Sequence, residues 1–436
     1  MAFFLPFVLV PLLIVFSSYA LQFFHDSRSR LPPGPWPLPL IGNLHQLDHL
    51  PHRSLARLAA RHGPLMSLCL GAVLTVVASS PDTAREILQR HNAAIGARSI
   101  GDSMRACGYC ESSVLCLPPR RKWRALRRLG AAELFSPQRL AVTRPLRQDA
   151  VAGLVRHVSD VVDEASVLAA GPNVSEFFPA VAAADLQGVR WRMATLVRRM
   201  YAIIDEQIER RKHSRAAGEA CQQNDLLDVM LNKEGEDLFT GGETISHTIE
   251  CALAELLQAP NIMRKVQEEL KSVMGTKQQI DETDISKLPY LQAVVKETLR
   301  LHPPVPLPPY EAEATVEIQG YTIPKGTKVL INIWAIDRCA EAWIEPNKFM
   351  PERFLGTEVN FMGRDFHLIP FGAGRRICLG LPLAYRMVHL MLGSLLHRFR
   401  WTLLADDEKN EVDMRERFGL ALSLVVPLRE VPEEIH

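Results

Sequence analysis

The stretch Phe371-Gly372-Ala373-Gly374-Arg375-Arg376-Ile377-Cys378-Leu379-Gly380 leads directly into the apolar run Leu381 to Leu396. A glycine-rich loop thus delivers one cysteine to the start of a predicted helix. The first turn of a helix carries unpaired N–H groups and the positive end of the dipole, and both stabilise a thiolate. The thiolate is the form of cysteine that ligates a metal. Glycines let backbone approach the sulfur and donate to it. A lone cysteine reads first as a buried structural thiol; ten residues of this character favour a ligand at Cys378.

Working outward, four further segments fall in a fixed order. Glu297-Thr298-Leu299-Arg300 puts an acid and a base on one helix face, three residues apart, before Pro303 and Pro304 end the helix. Pro351-Glu352-Arg353-Phe354 supplies a second arginine. An exposed Glu297–Arg300 pair would stabilise by less than about 1 kcal/mol. A buried one would cost roughly 3–5 kcal/mol to break. Upstream, Thr240-Gly241-Gly242-Glu243-Thr244 sets an acid beside an alcohol, although a Glu-Thr pair also suits an ordinary helix start. Trp123 and Arg127 lie one turn apart among Arg120, Arg121, Lys122, Arg124 and Arg128. Such a run is a solvated basic helix or a docking patch for an acidic partner.

The cysteine loop resembles the F-x-x-G-x-R-x-C-x-G signature of the cytochrome P-450 family, at Phe371, Gly374, Arg376, Cys378 and Gly380. The other segments resemble the family's E-x-x-R, P-E-R-F, oxygen-activation and W-x-x-x-R motifs, in the expected order. The resemblance implies heme b (iron-protoporphyrin) as cofactor, with Cys378 on the iron. An axial thiolate favours O–O cleavage. It also implies that Phe371 packs against the thiolate, and that Trp123, Arg127 and Arg376 contact heme propionates. Glu243 and Thr244 would relay protons so that dioxygen breaks heterolytically. Leu31 to Leu47, Leu288 to His302 and Arg364 to Leu396 look most like plant microsomal members of the geraniol-hydroxylase-like and ferruginol-synthase-like group. That similarity implies a monooxygenase acting on an apolar small molecule, a terpenoid above all. Its electrons would come from NADPH-cytochrome reductase. By the same resemblance Cys107 to Val114, Val305 to Pro309 and Phe418 to Leu422 line the substrate pocket.

The remaining sequence bounds this picture. The chain has 436 residues and a net charge of +1, which predicts no nucleic-acid partner. Eight cysteines are too sparse for a disulfide scaffold. Ala2 to Phe24 carries no charge. A helix of about 23 residues spans roughly 35 Å, enough to cross a membrane. The basic residues Arg28 and Arg30 then place the rest of the chain in the cytosol. Leu31 to Pro39 holds five prolines, so it reads as a stiff extended connector. The organisation is therefore a transmembrane anchor at 1–24, a proline-rich hinge at 25–45 and a heme-binding catalytic domain at 46–436. The expected location is the endoplasmic-reticulum membrane, with the catalytic domain facing the cytosol. Within that domain, strand-like patterns at Leu65 to Leu70, Leu74 to Ala78, Val316 to Ile333 (with Pro324-Lys325-Gly326 as a turn) and Leu420 to Val426 interrupt helical ones. The fold class is mainly α with small β-sheets, and the resemblance implies a cytochrome P-450 fold.

Two departures from the family pattern stand out. Only 116 residues separate Arg127 from Thr244, several dozen fewer than in relatives. The losses are expected near Val158 to Ala170 and before Leu238, which leaves the fold centrally shortened and the helix bearing Thr244 without much of its N-terminal half. This pattern reads as a spliced or mis-joined product, and it keeps open a second reading, an inactive membrane-bound relic with poor heme binding. A third, rearrangement of a peroxide substrate, is disfavoured by the intact Glu243-Thr244 pair. The other departure is Tyr310-Glu311 where relatives carry basic residues after the proline. A tyrosine hydroxyl donates one hydrogen bond but no charge, so heme anchoring is expected to be weaker.

Overall fold

The computed structural model describes residue 17 and residues 30–101, 109–145, 147–148, 242–275, 277, 280–403, 412–419, 421–426 and 430–434. The expected anchor, apart from residue 17, and the expected deletions near 158–170 and before 238 lie outside these residues. Among the described residues, no helix is long and apolar enough to cross a membrane.

The connector from Leu31 to Pro39 is extended, as its prolines dictate, and it is clamped to the domain. Ser67 donates its backbone N–H to Pro33 (2.9 Å) and its hydroxyl to Pro32 (2.6 Å), while the Asn43 amide donates to Pro35 and Trp36. Helix α1 (Pro51–His62) then leads into strands β1 (Leu65–Leu70) and β2 (Val73–Ala78), which pair antiparallel. Helix α2 (Arg121–Leu129) carries the basic run. Helices α3 (Gly242–Gln258), α4 (Pro260–Met274) and α5 (Pro289–Leu301) follow.

Three short strands come next: β3 (Pro309–Glu311), β4 (Val316–Ile318) and β5 (Tyr321–Ile323). After them come β6 (Lys328–Ile331) and the long α6 (Leu381–Arg398). The main sheet runs β1-β2-β6-β3, with β2 and β6 parallel. β4 and β5 form a separate hairpin closed by Gln319 (φ 51°) and Gly320 (φ 81°). Two positive φ values match the twist that a tight hairpin needs. The Pro324-Lys325-Gly326 turn read from sequence is present, but it joins two different sheets. The apolar alternation near the C-terminus becomes the small pair β7 (Glu416–Arg417) and β8 (Ser423–Leu424).

Two of the buried cores flank the Cys378 loop. Leu256, Leu270, Leu291 and Leu392 bury the facing stripes of α3, α4, α5 and α6 against one another. Ile87, Ile95, Tyr310, Val329, Phe366 and Ile369 pack beside the main sheet. Each fully buried Leu or Ile contributes about 1.5–3 kcal/mol of transfer free energy. The Cys378 loop lies between these cores: Ala373 belongs to the sheet core, and Phe371 packs on the helical one.

Candidate heme site

Cys378 stands two residues before Gly380, the N-cap of α6. Its backbone N–H donates to Phe371 O at 2.9 Å, which closes the loop on itself. Its sulfur accepts from the N–H groups of Gly380 and Leu381. Cys378 is exposed to solvent, while the protein packed around it still desolvates the sulfur and pushes its thiol up. The two N–H donors and the Arg127 guanidinium oppose that push and stabilise the anion. The helix-terminus placement is the one expected from the sequence, but the thiol it was expected to lower is raised, because burial outweighs the helix head.

The loop's glycines differ in what demands them. At Gly374 φ is +65°, and a Cβ would sit 1.9 Å from Leu88 O, so only glycine fits. At Gly380 φ is −80°, and a Cβ would meet Cys378 Sγ at an ordinary 3.9 Å. Gly380 therefore serves the sulfur through its N–H rather than through the space it leaves. Phe371 packs against Phe361 with the rings tilted by 52° and their centroids 5.3 Å apart.

Next to the cysteine stands a group of cations. Arg127 donates from Nη2 to Ile377 O at 2.9 Å. Arg376 donates to the carbonyls of Gly96 (2.8 Å), Val114 (3.3 Å) and Leu117. The Trp123 ring lies between them, with Arg376 at 4.7 Å and Arg127 at 5.2 Å from its centroid. The Trp123 indole N–H donates to Val114 O at 3.0 Å, so this residue meets the site through the two arginines it carries. Burial, then repulsion from Arg98 and Arg127, pulls Arg376 down to about 10. Burial also lowers Arg127, with Cys378 raising it and Arg98 lowering it.

Arg98 was not anticipated from the sequence. It donates from Nη1 to Pro309 O at 3.2 Å, yet its Nε is buried without a partner. A lone arginine after Gly96-Ala97 carries no spacing signature. It reaches the site because Glu311 N–H donates to Ala97 O (3.0 Å) and ties that segment to β3. Three guanidiniums that repel one another, one with an orphaned N–H, form a cradle short of negative charge. The residues present fit heme: a cysteine sulfur that can ligate iron, and cations for two propionates.

The distal elements are described in part. α3 is described from Gly242 onward and includes Glu243. Residues 240 and 241 and the side chain of Glu243 lie outside the described residues. Thr244 is half-buried, and its carbonyl accepts from Thr248 Oγ1 at 2.7 Å. Of the expected pocket stretches, residues 107, 108 and 420 likewise lie outside.

Behind the site, Glu297, Arg300 and Arg353 form the network expected from their motifs. Arg300 grips Glu297 with two bonds (2.7 and 2.8 Å), and Arg353 adds a third at 3.1 Å. Met350 N–H donates to Glu297 at 2.8 Å. Arg300 also caps the carbonyls of Asp337 and Pro346. Both Glu297 and Arg300 are fully buried.

A cysteine at a helix head, beside cations suited to a dianionic porphyrin and with a buried Glu-Arg-Arg network behind it, defines a heme-thiolate protein. The family model for cytochrome P450 matches residues 32–195 and 165–426, and the chain belongs to that family. It is a cytochrome P450 enzyme, and heme is its cofactor. It is 40% identical to cytochrome P450 76T24 of Catharanthus roseus, over 98% of this chain and 99% of that protein. It is 39% identical to geraniol 8-hydroxylase of the same plant, over 98% and 99%. With carnosic acid synthase of Rosmarinus officinalis it shares 38% identity, over 94% and 95%. The first alignment spans 495 positions, so at least 59 of them have no counterpart in a chain of 436 residues. The family match is broken into two segments that overlap at 165–195, in the middle of the chain.

Proposed function

We propose that this chain is a membrane-anchored monooxygenase that hydroxylates a terpenoid, with Cys378 as ligand to the heme iron. The observation that carries the reading is the Cys378 sulfur, which accepts from two backbone N–H groups at the head of α6 beside Arg127. Heme held by a thiolate supplies the redox chemistry that activates dioxygen. The chain's own residues do the rest. Cys378 would bring the negative charge when bound to iron, and the helix head and Arg127 ease that ionisation against the burial that raises the free thiol. Arg98, Arg127 and Arg376 bind and orient the propionates, with Trp123 holding two of the three. Phe371, Gly374 and Gly380 shape the loop around the sulfur. Glu243 and Thr244, on α3, pass protons toward the reacting oxygen. Similarity to geraniol 8-hydroxylase and carnosic acid synthase supports a terpenoid substrate.

The same reading assigns 1–24 as the transmembrane anchor, 25–45 as the hinge and 46–436 as the catalytic domain. It places that domain on the cytosolic side of the endoplasmic reticulum, where NADPH-cytochrome reductase would dock on the exposed face of α2. A second reading, an inactive relic, is favoured by the missing positions alone. The test is reconstitution with the reductase, NADPH, geraniol and isotopically labelled dioxygen. One labelled oxygen atom in a hydroxylated product is expected. Heme-loaded, reducible protein that yields no oxygenated product from geraniol or other terpenoids would overturn the activity.

A further inference from the structure

Tyr310 is almost fully buried, at 1% exposure, on β3 of the main sheet. It stands where the family pattern places a base, and its lack of charge predicts weaker heme anchoring. Its surroundings give it another task. The Arg98 guanidinium lies over the Tyr310 ring at 4.4 Å from the centroid, within the range of a cation–π contact. The neighbouring carbonyl of Pro309 accepts from Arg98 Nη1, and Glu311 N–H holds Ala97 O, so β3 grips the 97–98 segment on both sides. The far end of the ring reaches the cysteine loop: the Tyr310 hydroxyl lies 4.0 Å from where a Cβ on Gly372 would sit. Arg98 has no carboxylate partner among the described residues, and its Nε is buried and unpaired.

We propose that Tyr310 is a positioning residue for heme, a flat shelf that fixes Arg98, which has no carboxylate partner among the described residues, beside Arg127 and Arg376 so that it meets a propionate. The proposal rests on the heme reading above. Tyrosine here adds no charge of its own; it directs a cation supplied by another segment.

The test is the rate of hemin transfer from the ferric full-length protein to excess apomyoglobin. The parent is compared with Tyr310→Phe, Tyr310→Leu, Arg98→Leu and the double variant. Tyr310→Phe keeps the shelf and should lose heme at the parent rate. Tyr310→Leu and Arg98→Leu should each lose it roughly two- to fivefold faster, as a cation–π contact at a partly exposed site supports. The double variant should lose heme no faster than Arg98→Leu alone, because Tyr310 acts through Arg98. A double variant whose acceleration is the product of the two singles overturns the proposal, as does a Tyr310→Phe rate equal to that of Tyr310→Leu. If Tyr310→Leu does not load heme, Tyr310→Met replaces it under the same outcomes. A parent without a thiolate-heme spectrum defeats the broader reading instead, so the two failures are distinguishable.

Discussion

At the scale of single residues, burial decides which charges matter. Glu297 accepts three arginine hydrogen bonds and a backbone N–H in a site closed to solvent. Removing its charge strands two buried guanidiniums. Glu297→Gln should therefore destabilise the fold by about 3–5 kcal/mol, checked by the denaturant midpoint of the heme-loaded protein. A loss under about 1 kcal/mol would mean the pair behaves as a surface contact. Both partners were legible in the sequence, because spacing by three places them on one helix face. Their burial was not legible, since it depends on the carbonyls of Asp337, Pro346 and Lys348, dozens of residues away. Arg98 was hidden for the same reason: a strand partner more than two hundred residues downstream brings it to the site.

At the scale of elements, α2 turns two faces to two tasks. Trp123 and Arg127 face inward, while Arg120, Arg121, Lys122, Arg124 and Arg128 are exposed at or beside the helix. Exposed charges steer a partner without strengthening the fold. Reversing Arg121, Lys122 and Arg124 to Glu should slow reduction by the reductase at least tenfold at low salt. The difference should shrink as salt screens the encounter, as measured by stopped-flow reduction of the heme. The fold and heme content should be unchanged. The helix that carries Thr244 makes a separate prediction. Thr244→Ala removes the hydroxyl proposed to deliver protons, so NADPH consumption should continue while more of it ends as peroxide. Unchanged coupling of NADPH to product would remove Thr244 from that role. The motif around Thr244 was legible as a segment, but its side-chain geometry could not be, because it depends on what lies opposite the helix.

Across the whole molecule, titratable groups are buried where the layers meet. Burial pulls His247 down to about 3 and His389 down to about 4, so both are neutral in the native state. Burial alone would raise Glu416, but His302, His52 and Arg53 (2.6 Å) overcome it and hold it below the usual carboxylate range. For the two histidines the folded pKa lies below the unfolded value of about 6.5. Their contribution to stability is present above that pH and lost as pH falls through the folded values. Glu416 acts in the same sense, and its contribution is lost below the unfolded carboxylate range. His302 is raised by Glu255 and Glu416 against its burial, so it opposes the trend only as pH rises above about 6.5. The melting temperature should therefore fall steadily from pH 6.5 to pH 4. His389→Gln should make that fall shallower, and a flat profile for the parent would contradict the account.

The mainly helical fold with small sheets was readable because periodicity and turn residues mark each element. The division of strands among sheets was not, since Pro324-Lys325-Gly326 looks like a hairpin turn and its neighbours find other partners. All of these properties serve one claim: a cysteine anion at the head of α6 holds heme in this shortened chain. The most direct measurement is the absorption spectrum of the dithionite-reduced, CO-bound full-length protein, taken alongside Cys378→Ser. The account predicts the long-wavelength Soret band of a thiolate-ligated heme in the parent and its loss in the variant. A parent without that band, or a variant that keeps it, would contradict it.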